Sequence, residues 1–127
     1  MNILLTSVGR RAYIIDYLRD VYKRLGLAGN IIATNSDMNT TAMSVADKAF
    51  ESPIIYDEKY IPFLLEICKS EKIDMLISLF DIDLMILAKN KRRFESQGVK
   101  VIVSDENIIN ICNDKFEMLK YLKKINM

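Results

Sequence analysis

The 127 residues carry 18 Lys and Arg against 17 Asp and Glu, a formal net charge of +1, with no histidine, half the residues apolar and 28% charged. This is the balance of one ordinary globular domain, and it excludes a disordered chain, a general electrostatic pull toward nucleic acid, and any zinc site or Ser-His-Asp triad that needs an imidazole. No apolar run approaches the roughly 18 residues that span a bilayer, and no basic n-region precedes an apolar core, so a cytoplasmic chain with neither membrane nor nucleic-acid partners is expected.

Asn2 to Leu5 reads as a short buried strand that runs into the polar turn Thr6-Ser7-Val8-Gly9-Arg10-Arg11. Ile14, Leu18, Val21 and Leu25, with Ile15 and Tyr22 beside them, then recur at spacings of three and four, which predicts an amphipathic helix closed by Gly26. Asn30 to Thr34 is a second buried strand ending in Asn35-Ser36-Asp37. A helical turn over Thr41 to Ala46 leads to a third strand, Lys48 to Glu51, closed by Pro53. Asp57 is placed to cap a helix from Glu58 to Lys69 with Ile61, Leu64, Leu65 and Cys68 as its apolar face, and Pro62 falls in the first turn, where its missing amide costs little. Ile73 to Leu79 is a fourth strand, Asp81 to Phe94 a helix stopped near Gly98, and Val99 to Val103 a fifth strand. Ser104-Asp105 caps a helix through Cys112, and Glu117 to Lys124 forms a last short one. The two cysteines, Cys68 and Cys112, are expected as buried free thiols.

Strands alternating with helices predict an α/β domain of Rossmann-like type: three layers, α/β/α, around a five-stranded parallel sheet of order 3-2-1-4-5. In such a sheet a ligand binds outside the carboxyl ends of the strands, where the order reverses, so the turns after strands one, two and four form the candidate site. There Gly9 can take a backbone conformation closed to other residues, and Arg10 and Arg11 bring positive charge to a helix start, either as ligand contacts or as solvated turn residues. A dinucleotide fingerprint needs three glycines and the turn has one; Asp37 stands where a ribose-binding acid would, but also where a turn residue or cap would. Asp81 and Asp83, two apart beyond strand four, could hold magnesium or an ammonium group, or simply offset the helix dipole. Lys115 sits in a first helical turn, where its charge opposes the dipole.

Thr6 to Arg11, Ala33 to Asp37, Ala46-Asp47-Lys48, Ile77 to Asp83 and Asn113-Asp114-Lys115, in that order, resemble the N-terminal part of ATP-grasp ligases, nearest to proteins of the carbamoyl-phosphate synthase large subunit type. The resemblance covers essentially the whole chain. It implies a pre-ATP-grasp domain, residues 1–112, and the truncated start of the ATP-grasp region, 113–127. It also implies a ligase that activates a small-molecule carboxylate with ATP and magnesium before an amine attacks. By the same resemblance Lys115 reaches ATP phosphates, while Ser7, Gly9, Arg10, Arg11, Asp37, Asp81 and Asp83 face the substrate. No catalytic residue, no metal ligand and no tightly bound cofactor is expected in this part, which is inactive alone and needs ATP-grasp domains in cis or on another chain. Ile125-Asn126-Met127 gives the last helix no glycine cap and no following strand, so the chain reads as cut, by excision or by natural truncation. Two alternatives stand beside this reading. One is a self-contained module that binds a nucleotide or anionic metabolite through Gly9, Arg10 and Asp37. The other is an interaction domain that forms a homodimer through Phe116, Leu119 and Leu122.

Overall fold

The computed structural model describes residues 1–127, and its five strands lie parallel in the order β3-β2-β1-β4-β5. They are β1 (Ile3–Thr6), β2 (Ile31–Asn35), β3 (Lys48–Glu51), β4 (Met75–Ser78) and β5 (Lys100–Ile102). β1 is central, with Leu4 opposite Ile32 on one side and Leu76 on the other. Its four residues are all buried, as expected of a strand covered on both faces.

Alternate strand residues feed two cores. Leu4, Ile32, Leu76 and Val101 pack under α3 (Tyr60–Ser70) and α4 (Asp81–Glu95), whose Tyr60, Leu64, Leu87 and Phe94 are fully covered. Ile3, Leu5, Ile31 and Ala33 pack on the opposite face under α1 (Ala12–Leu25) and α2 (Thr41–Val45), through Ile15, Tyr22, Ala42 and Met43. Each Leu, Ile, Val, Phe or Met among them contributes about 1.5–3 kcal/mol when fully buried. The chain closes with α5 (Glu106–Asn113), packed on α4, and α6 (Lys115–Lys124), packed on α5. No helix is long and apolar enough to cross a membrane.

Several boundaries and faces differ from the sequence reading. β1 and β2 each run one residue later, through Thr6 and Asn35. The buried line of α1 is Ile15 and Tyr22, while Val21 and Leu25 are exposed, because the helix is rotated so that the flank of the apolar stripe faces the sheet. Tyr60 and Ile67 join the buried face of α3. Asp57 stands two residues ahead of the N-cap position expected of it: its carboxylate accepts from the Lys59 amide, Lys59 takes the cap position, and α3 starts at Tyr60. α6 begins at Lys115, two residues before Glu117, because Asp114 caps it through the amides of Phe116 and Glu117 at 2.9 and 3.1 Å. Cys68 is buried as expected, and burial pushes its thiol pKa up to about 12, which leaves it inert. Cys112 is exposed, because only Ile109 of α5 reaches the interior.

A crevice at the sheet's reversal point

The reversal of strand order between β1 and its neighbours opens a small crevice at the carboxyl ends of the strands, of about 160 Å³. Ser7 and Arg11 of the first turn line it, with Asn35 and Ser36 after β2, Ser52, Pro53 and Ile55 after β3, and Phe80 after β4. The turn is shaped by two residues in left-handed conformation, Ser7 at φ 53° and Gly9 at φ 51°. For glycine this is free, whereas for serine it costs about 1–2 kcal/mol, so other contacts must hold Ser7 in place. The Asn35 side chain ties the turns together: its Oδ1 accepts from the Gly9 amide at 3.3 Å and its Nδ2 donates to the Asp37 carbonyl at 3.0 Å.

Beneath the crevice lies a buried carboxylate. Asp83, in the first turn of α4, is fully covered. Its Oδ2 accepts from Thr6 Oγ1 at 2.5 Å, Ser78 Oγ at 2.8 Å and Ser7 Oγ at 3.2 Å, and its Oδ1 accepts from the Tyr60 hydroxyl at 2.9 Å. No cation is within ion-pairing distance of it. Four hydroxyl donors and the positive end of α4 take the place of a counter-ion. The Tyr60 pKa is driven up, first by burial and then by the Asp83 charge, so the phenol stays protonated and keeps donating. One carboxylate therefore joins the ends of β1 and β4 to the starts of α3 and α4, and holds Ser7 in its strained conformation.

The sequence-predicted residues are distributed unevenly around this site. Ser7 and Arg11 line the crevice, and Gly9 lies beside it on the Asn35 clamp. Arg10 is exposed and its carbonyl accepts from Thr41 at 3.5 Å. The Asp37 carboxylate folds onto the Asn39 amide at 2.8 Å, as a turn residue does. Asp83 lies under the floor with no opening onto the crevice. Asp81 borders a different groove, of about 280 Å³, between α4 and α5. Lys115 is exposed at the start of α6, away from the crevice lining. Ser52 and the Tyr60–Asp83 link escaped the sequence reading. Ser52 has no motif around it, and a tyrosine before an apolar helix looks like any core residue.

As a recognition surface the lining is one guanidinium, three serine hydroxyls and one amide, with no carboxylate among them. The Ser7 proton is given to Asp83 and one Asn35 proton to Asp37, so the guanidinium, Ser36, Ser52 and the other Asn35 proton remain as donors to oxygens, and the planar fork of Arg11 suits a carboxylate or another small anion. No group of three cysteine and acidic side chains comes together in a way that could hold a metal ion.

The profile of the family described as PylC-like, N-terminal domain matches residues 3–102. Among solved structures, the biotin carboxylase domain of a single-chain bacterial carboxylase superposes with a TM-score of 0.66 at 15% identity, over 100% of this chain and 30% of that one. The biotin carboxylase subunit of pyruvate carboxylase gives 0.67 at 18% identity, over 99% and 28%. Glycinamide-RNase-transformylase T from Mycobacterium tuberculosis gives 0.60 at 15% identity, over 96% and 34%. At these identities the likeness is one of fold, and the chain spans about a third of the length of the proteins it superposes on. No curated protein matches the chain.

Proposed function

The chain belongs to the PylC-like, N-terminal domain family, and on that premise we propose that it is the substrate-side, pre-ATP-grasp domain of an ATP-dependent carboxylate–amine ligase of the cytoplasm. The observation that carries this reading is the crevice at the sheet's reversal point. Its lining offers Arg11, Ser36, Ser52 and the remaining amide proton of Asn35 as donors, the Ser7 proton being held by Asp83, and that set suits the carboxylate of a small acid. Residues 1–112 form the substrate-side domain in this reading, and α6 begins the ATP-grasp region. Other domains, in cis or on a second chain, supply the phosphoryl chemistry.

ATP and magnesium belong to those other domains. Two acids two apart, with Asp83 already saturated by hydroxyls and Asp81 on another groove, do not make a magnesium site, and Lys115 alone is one point charge for a triphosphate. The finer likeness to the carbamoyl-phosphate synthase large subunit rests on the five motifs alone. The alternative of a self-contained nucleotide module is disfavoured by size. A crevice of about 160 Å³ falls below the roughly 300–1,000 Å³ that encloses a nucleotide-sized ligand.

A thermal-shift panel tests the proposal. Small amino and hydroxy acids should raise the melting temperature of the chain, their amides should not, and Arg11→Met should abolish the effect. The purified chain should not turn over ATP. Stabilisation by NAD or ATP with indifference to carboxylates would favour the nucleotide module instead.

A further inference from the structure

The lining of the crevice is of two kinds. Beside the polar groups stand three apolar residues, Pro53, Ile55 and Phe80. Ile55 is packed against the core under α3 and α4, which fixes it in place. Phe80 has no structural reason to be aromatic. It occupies the N-cap position of α4, where Ser, Thr, Asp or Asn would bond an open amide, and its side chain caps nothing. It belongs to neither core and is 40% exposed. Its backbone is nevertheless held on both sides: Ser78 Oγ accepts from the Phe80 amide at 3.2 Å, and the Phe80 carbonyl accepts from the amides of Asp83 and Leu84 at 3.1 and 3.3 Å. A large apolar side chain on a fixed backbone therefore stands at the crevice, with neither capping nor core packing to account for it.

The charges narrow what enters. Arg11 makes no ion pair within the chain, so one cationic group is left for one anionic group. No carboxylate lines the crevice, so nothing in it pairs with an ammonium group. Its hydroxyl and side-chain amide oxygens accept a hydrogen bond from an amino or a hydroxyl group alike. A second charge carried against Pro53, Ile55 and Phe80 loses water and gains no partner. The volume of about 160 Å³ is the space of about five water molecules at roughly 30 Å³ each, so a carboxylate leaves room for a body of only a few carbons.

We propose that Phe80 is a specificity-determining residue: with Ile55 and Pro53 it selects a monocarboxylic acid with a short apolar body, while the crevice does not distinguish an amino from a hydroxyl group on the carbon beside the carboxylate. The proposal rests on the reading of the crevice as a carboxylate site.

Dissociation constants from chemical-shift titrations of the chain with valine, its hydroxy analogue 2-hydroxy-3-methylbutanoate, alanine and aspartate test this. Valine should bind about tenfold more tightly than alanine, as expected for two further carbons taken out of water. The hydroxy analogue should match valine, and aspartate should bind no more tightly than alanine. Phe80→Ala should abolish most of the advantage of valine over alanine, Phe80→Leu should keep most of it, and Phe80→Lys should turn the preference to aspartate, each with an unchanged far-UV circular dichroism spectrum. Equal affinities for valine, alanine and aspartate, all lost in Arg11→Met, would overturn the role of Phe80 and leave the carboxylate site standing. So would a preference for valine that Phe80→Ala leaves unchanged, or a hydroxy analogue bound far more weakly than valine. Failure of every acid to bind the native chain would overturn the carboxylate site itself, and the selectivity with it.

Discussion

Asp83→Asn keeps the shape of the buried hub and removes its charge. In the native chain three hydroxyls converge on Oδ2 and one on Oδ1, at 2.5 to 3.2 Å. An asparagine can keep an oxygen on the crowded side only by turning its amide nitrogen toward Tyr60, whose hydroxyl must then accept where it used to donate. Hydrogen bonds to a charged group contribute about 1.5–3 kcal/mol each against about 0.5–1.5 for neutral ones, so four bonds lose roughly 1 kcal/mol apiece. Relief from burying a charge with no cation beside it offsets part of that loss, and the net cost is about 2–3 kcal/mol. This is a large share of the roughly 5–15 kcal/mol that holds a domain folded. Urea denaturation should therefore show the midpoint falling at constant slope. Tyr60→Phe removes one bond and should cost about 1–2 kcal/mol, and the two changes together should cost less than their sum, because they share a hydrogen bond. An Asp83→Asn chain as stable as the native one, or more stable, would refute the hub as a net stabiliser.

Further outcomes follow from the same geometry. Tyr60 has a folded pKa raised above its unfolded value near 10, so its contribution is fully present below pH 10 and is lost as pH rises beyond it. Unfolding free energy measured above pH 10 should fall about 1.4 kcal/mol per pH unit less steeply in Tyr60→Phe than in the native chain, the share of one proton. Asp47 behaves in the opposite sense. Burial pushes its pKa up, but the Ile31 amide and Arg19 overcome this and hold the carboxyl below its usual range, so its contribution is present above the unfolded value and lost as pH falls through the folded one. Asp47→Asn should flatten the acid limb of a stability–pH profile. Gly9→Ala should cost about 1–2 kcal/mol in a thermal melt from left-handed strain alone, since the added methyl meets nothing nearer than the Arg11 guanidinium at 3.9 Å.

The strand order and element sequence were legible because β1, β2 and β4 are largely apolar runs and the helices between strands carry apolar residues three and four apart. The rotation of α1 was not, because two overlapping stripes, one through Ile15 and Tyr22 and one through Val21 and Leu25, share the same spacing. Only the sheet decides between them. Asp83 was placed in the right turn on sequence, yet its partners come from β1, α3 and β4, which meet it only after folding. Ser52 was hidden for the same reason: it is a polar residue at a strand end until the parallel register sets it beside Asn35, whose carbonyl accepts from its amide at 2.9 Å. Arg11 and Ser7 were accessible earlier, because the first turn is short and its residues had few places to go.

A nitrogen-15 correlation spectrum of the labelled chain, titrated with a small amino acid and then with its amide, tests the central claim most directly. The acid should shift the amides of Ser7, Gly9, Arg11, Asn35, Ser36 and Ser52 in a saturable way, the amide should not, and Arg11→Met should remove the response. Equal shifts with the amide, or shifts confined to residues away from these three turns, would contradict a carboxylate site in the crevice.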